Sequence, residues 1–171
     1  MLAVFSPRTS AGNVFLSIEN LTNVLTQVCV VSVLAAGSSL VIVGGGIDLS
    51  VGSLLALGAA LAAGALKAGW PVPAVVLAGI AAAGACGAVN GLLVAGLRLP
   101  AFIATLGMMG IARGLTYVYM GGAPLYGFPE GFRRLAEGRL LGLPAPVWIT
   151  AGVFAAAHLL GKNLRALFVG G

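Results

Sequence analysis

The stretch Ala74–Leu97, AVVLAGIAAAGACGAVNGLLVAGL, contains no Asp, Glu, Lys or Arg. A helix of about 20 mainly apolar residues crosses the hydrocarbon core of a bilayer, so this stretch is long enough to span a membrane. It lacks the alternation of apolar and polar residues that is typical of a half-buried strand. We therefore predict a membrane-spanning helix here, with Asn90 as its most polar side chain.

The rest of the chain contains similar charge-poor stretches, separated by segments rich in glycine and proline. Five spans are predicted, at Leu21–Val43, Leu49–Leu66, Ala74–Leu97, Pro100–Met120 and Ala145–Leu160. Among the nine basic and four acidic residues, Arg113 alone lies within a span. The predicted fold class is an all-α, polytopic helical membrane protein with about five transmembrane helices.

The composition excludes two broad classes of protein. Charged residues make up 8% of the chain and hydrophobic residues 60%, whereas a soluble domain is about a quarter charged. Disordered chains are poor in hydrophobic residues, so disorder is excluded as well. The net charge is +5, but the basic residues are scattered rather than clustered. We therefore predict no nucleic-acid partner, because such partners are bound by basic patches.

No catalytic set or metal cluster is visible in the sequence. The triplet Gly44–Gly46 is not followed by the Lys and Ser or Thr of a phosphate-binding loop. The single histidine, His158, has no neighbouring acid or nucleophile that would complete a catalytic group. Cys29 and Cys86 lie in apolar runs, where thiols behave as small hydrophobic groups. We predict no enzyme activity, no catalytic residue, no metal and no cofactor.

Small residues recur every four positions in the second and third spans. Residues at i and i+4 lie on one face of a helix, so such a pattern forms a smooth ridge that a neighbouring backbone can approach closely. The alternative is chance accumulation in a chain rich in alanine and glycine. The predicted helix-packing residues are Gly52, Gly64, Gly79, Gly87 and Gly91.

Three polar residues at membrane depth are candidates for function, because such residues are costly there. Arg113 lies about 20 Å along its helix from Pro100, so it either reaches the interface or lines an aqueous path. Asn90 either joins two helices or contacts a solute. Asp48 either caps the following helix or marks a helix break of the kind that transporters use to present polar backbone to a substrate.

Six sequence blocks stand out together. They are Gly46–Ser53 (GIDLSVGS), Asn90–Gly91, Pro100–Met109 (PAFIATLGMM), Arg113–Gly114, Gly122–Pro124 and Leu141–Ile149 (LGLPAPVWI). These blocks resemble the permease subunits of ribose-type, monosaccharide ABC importers. The similarity runs from about Phe15 to Gly171, and the GIDLSVGS and FIATL blocks are specific. The related branched-chain amino acid permeases share the architecture but fit these blocks less well.

The resemblance implies a multi-pass subunit of the plasma membrane, the cell inner membrane in bacteria, that imports a monosaccharide or a similar small polar solute. Its implied partners are an ATP-binding subunit, an extracytoplasmic solute-binding protein, a second permease copy and the lipid bilayer. ATP hydrolysis is expected on the separate subunit. Predicted depth in the membrane and position within the family's motifs together select four candidates for the substrate pathway: Asp48, Asn90, Thr105 and Arg113.

Residues 1–171 are expected to form a single transmembrane permease domain, part of a larger bundle. The first span and the C-terminal half of the family pattern are missing from it. We therefore expect weak or no copurification of an ATP-binding subunit with this chain alone. Two alternatives remain open, a branched-chain amino acid ABC permease and a small oligomeric helical membrane scaffold that uses the small-residue ridges.

The family's orientation places Arg98, Lys162 and Arg165 inside and the loop Gly121–Pro144 outside. The outside then carries more basic residues than the inside, so the positive-inside rule gives this orientation no support. Within the loop, residues Glu130–Leu141 are expected to form a short amphipathic helix. It either faces the solute-binding protein or is a solvated connection.

Overall fold

Helices account for most of the chain, as the sequence predicts. The computed structural model describes residues 8–9, 12–123 and 126–169, and side chains for 14–123 and 126–159. The all-α fold class is confirmed, with two antiparallel ladders of two residues per strand as unpredicted additions. The described helices are α1 (Ile18–Val43), α2 (Val51–Lys67), α3 (Val72–Ala95), α4 (Ala101–Met120), α5 (Glu130–Glu137) and α6 (Ala145–Val169).

Each predicted span corresponds to one of these helices. The ends differ by at most three residues, except that α6 continues to Val169, nine residues beyond the predicted end at Leu160. By length and composition, α1, α3 and α4 can cross a membrane. Helix α2 has 17 residues, about 26 Å of helix against a hydrocarbon core of about 30 Å. The apolar part of α6, Ala145–Leu159, is shorter still. The chain is a multi-pass membrane protein, and the number of five spans stays a prediction.

Apolar side chains cover the outside of the long helices. Leu92 on α3 is 70% exposed and Val118 on α4 is 77% exposed. Exposed apolar surface of this extent is rare in soluble proteins and marks contact with lipid or with other helices. The exposure of these helices therefore agrees with a protein that is solvated by a bilayer.

One compact unit contains the chain up to Ala36 and the chain from Arg134 onward. Its strands are β1 (Arg8–Thr9), β2 (Gly12–Asn13), β3 (Arg139–Leu140) and β4 (Leu143–Pro144). The β3–β4 turn is held to the start of α6 because Trp148 Nε1 donates to the Leu140 carbonyl at 3.1 Å. Thr150 Oγ1 donates to the Cys29 carbonyl at 3.4 Å, which joins α6 to α1.

The second unit, Gly37–Arg133, contains α2, α3 and α4. The start of α2 contacts the start of α4, because Leu49 donates to Thr105, and the end of α2 contacts Tyr119 near the end of α4. Helices α2 and α4 are therefore parallel, and α3 runs antiparallel to both. An apolar cluster of Leu54, Leu57, Met108 and Ala112 fills the space between α2 and α4.

A glycine on each helix allows α2 and α3 to approach closely. A Cβ placed on Gly58 would lie 3.4 Å from the carbonyl oxygen of Gly79, and a Cβ on Gly79 would lie 3.5 Å from that of Gly58. Small residues at helix contacts of membrane proteins permit this approach. Gly79 belongs to the predicted ridge, whereas Gly58 lies outside the predicted set.

The other ridge glycines are placed in two kinds of environment. A Cβ on Gly64 would overlap the ring of Tyr119. The Cβ positions of Gly52, Gly87 and Gly91 have no heavy atom within 4 Å among the described residues. A packing role for these three stays a prediction.

The predicted amphipathic helix of the loop is present as α5, which ends at Glu137 rather than at Leu141. The reason is the β3–β4 turn, which begins at Arg139 and contains Leu141 with φ +52° and Gly142 with φ +81°. Backbone with positive φ is incompatible with a continuing right-handed helix. Pro124, Gly170 and Gly171 lie outside the described residues, as do the side chains of Lys162 and Arg165.

Candidate solute pathway

A non-helical segment, Gly44–Ser50, separates α1 from α2. Helix α1 ends in a turn in which Gly45 has φ +81°, a conformation that glycine adopts without steric cost. The segment then lies against α4, because a Cβ on Gly46 would be 3.6 Å from the Cβ of Ala101. Irregular backbone at membrane depth is tolerated only where protein buries it or where it lines a water-filled cavity.

Asp48 and Asn90 meet at Ser50. Asp48 Oδ1 accepts from the Ser50 N–H at 2.7 Å and from the Ser50 hydroxyl at 2.6 Å. Asn90 Nδ2 on α3 donates to the same Ser50 oxygen at 3.1 Å. Ser50 is fully buried and Asn90 is 6% exposed. Ser50 therefore connects the non-helical segment to α3.

The structure places Asp48 outside the cap of α2. Its carboxylate bonds to Ser50, the residue before α2, rather than to the free N–H groups of the helix. This bond to the backbone two residues ahead is the Asx turn that aspartate commonly forms. Asp48 thus holds the non-helical segment in shape, and its role in presenting polar backbone to a substrate stays a prediction.

Thr105 attaches the same segment to α4. Its Oγ1 accepts from the Leu49 N–H at 3.2 Å and lies 3.2 Å from the Ile47 carbonyl and 2.9 Å from the Ala101 carbonyl. Thr105 is 4% exposed. Because backbone N–H groups in folded proteins are nearly always hydrogen-bonded, this hydroxyl supplies a contact that the non-helical segment needs.

One buried polar atom of this cluster has no partner among the described residues. The Oδ1 of Asn90 is buried and accepts no hydrogen bond from them. An unsatisfied buried acceptor costs about 1–3 kcal/mol. The polar cluster, defined as Asp48, Ser50, Asn90 and Thr105, therefore contains one buried acceptor that the described residues leave unsatisfied.

Arg113 lies away from this cluster, eight residues beyond Thr105 on α4 and about 12 Å along the helix axis. It is exposed and makes no hydrogen bond or ion pair with the described residues. A cavity of about 420 Å³ opens beside it. Its lining includes Gly52, Ser53 and Ala56 of α2 and Arg113, Thr116 and Tyr117 of α4.

The four predicted pathway residues thus divide into a group of three and Arg113 alone. Sequence reasoning missed Ser50, the residue that joins Asp48 to Asn90, although an Asp two residues before a serine is a signal for an Asx turn. It also missed Thr116 and Tyr117. Their positions three and four residues after Arg113 place them on the same helix face. No group of three or more metal-ligating side chains occurs in the described part of the chain.

Comparisons with known proteins place this chain among permeases. Residues 20–135 match the family described as "branched-chain amino acid transport system / permease component". The ribose import permease of Escherichia coli strain K12 is 48% identical over 155 residues, which cover 88% of this chain and 48% of that protein. The ribose import permease of Haemophilus influenzae strain Rd is 40% identical over 157 residues, covering 87% and 47%.

A third relative is the autoinducer 2 import system permease protein of Escherichia coli strain K12 / DH10B. It is 37% identical over 150 residues, which cover 87% of this chain and 44% of that protein. The chain spans about half the length of the curated relatives it matches. No solved structure matches it.

Proposed function

Because the chain belongs to the family of branched-chain amino acid transport system permease components, we propose that it forms membrane-spanning pathway helices of an ABC importer. The predicted resemblance to permeases of ribose-type importers is confirmed by the relatives that match. The pathway is proposed to lie in the unit of α2, α3 and α4, where polar residues occur at membrane depth.

A monosaccharide or a similar small polar solute is the proposed substrate. The relatives at 48%, 40% and 37% identity are permeases for ribose and for autoinducer 2. The family description names branched-chain amino acids, but the individual relatives favour a sugar-like solute over an amino acid.

The observation that carries this function is the non-helical segment Gly44–Ser50, anchored by Asn90 on α3 and Thr105 on α4. Transporters of other folds place interrupted helices of this kind beside their substrate, because the interruption exposes polar backbone inside the membrane. Asp48, Asn90 and Thr105 are proposed to shape one end of the pathway, and Arg113 to line the other.

The proposed assembly contains further subunits. An ATP-binding subunit hydrolyses ATP at the cytoplasmic face, a solute-binding protein delivers the solute from outside, and a second permease copy completes the pathway. The chain is proposed to act as one permease domain in the inner membrane, with α5 and its loop outside, and to catalyse no reaction itself.

Uptake in cells tests this proposal. Escherichia coli cells that lack their own ribose permease but keep the other ribose importer subunits receive a hybrid permease. In the hybrid, this chain replaces the matching half of the 48% identical relative. We expect uptake of radiolabelled ribose well above the level in cells without a permease, and loss of that uptake when the ATP-binding subunit is inactivated. A hybrid that inserts into the membrane but takes up no ribose would contradict the proposal, and uptake of leucine instead would favour the amino acid alternative.

A further inference from the structure

We propose that the cavity beside Arg113, here called the Arg113 cavity, is a binding subsite for neighbouring hydroxyl groups of a neutral, polyol-like solute. This inference rests on the proposed function and adds the chemistry of one site within it. It concerns the six residues Gly52, Ser53, Ala56, Arg113, Thr116 and Tyr117.

The size of the cavity suits a small solute. Ligand sites in proteins typically measure about 300–1,000 Å³, and the Arg113 cavity measures about 420 Å³. It is open at this size because Gly52 and Ala56 present little or no side chain on the α2 side. Nothing among the described residues lies within 4 Å of a Cβ placed on Gly52. Because residues of both α2 and α4 line the cavity, a solute inside it would contact both helices.

Arg113 supplies the recognition chemistry. Its guanidinium has five N–H donors in a fixed planar fork, which match two neighbouring oxygen acceptors. The described chain provides it with no acceptor. A charged group that stays unpaired within a membrane-spanning helix is costly, unless water or a ligand contacts it. Two adjacent hydroxyl oxygens of a polyol would accept from this fork without adding charge.

The neighbouring side chains add weaker polar contacts and an apolar surface. Thr116 Oγ1 donates to the Ala112 carbonyl at 2.7 Å, so its oxygen lone pairs remain available to accept from a solute hydroxyl. Tyr117 is 71% exposed and lines the same cavity. An aromatic ring of this kind offers an apolar face and a polar hydroxyl, which is the combination that a sugar ring and its hydroxyl groups require.

Helix packing is the competing use of this α2 face. The ridge of Gly52, Ala56, Ala60 and Gly64 is covered in its second half, where Ala60 is 3% exposed and Tyr119 reaches Gly64. Its first half, at the cavity, is uncovered. A helix seated there would enclose the Arg113 guanidinium and would need to bring an acidic side chain to pair with it, because an uncompensated buried charge costs several kcal/mol.

Thiol accessibility separates these two uses in the full chain. Ala56→Cys is introduced with Cys29→Ala and Cys86→Ala, and the protein is reconstituted in lipid nanodiscs. The anionic thiol reagent sulfonatoethyl methanethiosulfonate is then applied with and without ribose. We expect labelling at Ala56→Cys, slowed by ribose and unaffected by tetrahydropyranylmethanol, which has the same ring type but a single hydroxyl. Absence of labelling would show that a helix or lipid fills the cavity and would overturn the proposal.

Arg113→Gln, in the Ala56→Cys background, tests the role of the guanidinium. Hydrogen bonds to charged groups are worth about 1.5–3 kcal/mol, so the ribose concentration for half protection should rise at least about tenfold. Arg98→Gln removes the same charge outside the cavity and should leave protection unchanged. Equal protection with Arg113→Gln, or stronger protection by ribose phosphate than by ribose in the Ala56→Cys protein with Arg113 intact, would contradict a neutral polyol site at Arg113.

The labelling experiment tests the subsite and the uptake experiment tests transport, so either proposal can be rejected without the other. Ribose uptake by the hybrid permease without protection of Ala56→Cys would reject the cavity as a subsite and leave the proposed function standing. Protection of Ala56→Cys without uptake by the hybrid would support the subsite and reject transport.

Discussion

Two groups of polar side chains in the unit formed by α2, α3 and α4 differ in their partners. In the polar cluster, Asp48, Ser50, Asn90 and Thr105 bond to one another and to backbone, and Ser50 is fully buried. Arg113, by contrast, is exposed and has no partner among the described residues. The difference agrees with the proposal that the cluster serves the backbone and that Arg113 serves a solute. Substitutions in the two groups should therefore separate stability from solute binding.

The largest loss of stability is expected for Asp48→Leu. The leucine removes the acceptor of two short hydrogen bonds, from the Ser50 N–H and from its hydroxyl. Bonds to a charged group contribute about 1.5–3 kcal/mol each, so the two together predict a loss of about 3–6 kcal/mol. The midpoint of unfolding by sodium dodecyl sulfate in mixed micelles, followed by far-ultraviolet circular dichroism, measures it.

Asp48→Asn is the matched control, because its side-chain carbonyl keeps the acceptor for Ser50. It should lose no more than about half as much stability as Asp48→Leu, since it removes the charge but keeps the bonds. Equal losses for both variants would show that the charge, and not the Asx turn, carries the role of Asp48.

Thr105→Val should have the next largest effect. Valine has nearly the shape of threonine but leaves the Leu49 N–H without its acceptor. Removing one partner of a hydrogen bond costs up to about 1–3 kcal/mol where the other partner is left unsatisfied, and we expect a loss in that range in the same unfolding measurement. Thr105→Ser keeps the hydroxyl and should retain most of the stability. A stable Thr105→Val protein would mean that the non-helical segment does not depend on its contact with α4.

Asn90→Ala should cost less than either of these. Only the Nδ2 bond to Ser50 is lost, because Oδ1 accepts nothing from the described residues. One neutral hydrogen bond contributes about 0.5–1.5 kcal/mol, and the loss should fall in that range. A loss above about 3 kcal/mol would show that Oδ1 has a strong partner in the folded protein, such as an enclosed water molecule.

The lengths of the stretches without charged residues, together with the glycine and proline residues between them, were enough to predict the helices. Every predicted span has its helix, since apolar length in a membrane protein leaves few alternatives to a helix. The end of α5 was predicted too late, at Leu141 instead of Glu137. The reason is the β3–β4 turn, whose pairing of Leu140 with Leu143 depends on two residues in the left-handed region.

The candidate site was less accessible to sequence reasoning. Membrane depth selected Asp48, Asn90 and Arg113, because polar residues stand out in apolar runs. The grouping of Thr105 with Asp48 depends on α2 and α4 being parallel, so that Thr105 lies beside Leu49, 56 positions earlier in the chain. Spacing along one helix does not report such contacts. Residue type alone does not distinguish Ser50 and Tyr117 from other serines and tyrosines in the sequence. The structure singles them out by their surroundings, since Ser50 bonds to Asp48 and Asn90 and Tyr117 lines the cavity beside Arg113.

Arg113→Gln should have the smallest effect on stability, within about 0.5 kcal/mol. The described chain offers the guanidinium no hydrogen bond or ion pair to lose, and substitutions at exposed positions without such contacts usually change stability by no more than this. Arg98→Gln, in the turn before α4, is the matched control for the loss of one positive charge in the unfolding measurement. A destabilisation by Arg113→Gln of more than about 1 kcal/mol beyond that control would mean that Arg113 has a structural partner in the folded protein. The polar cluster and Arg113 would then both serve the fold, and the contrast between them would be lost.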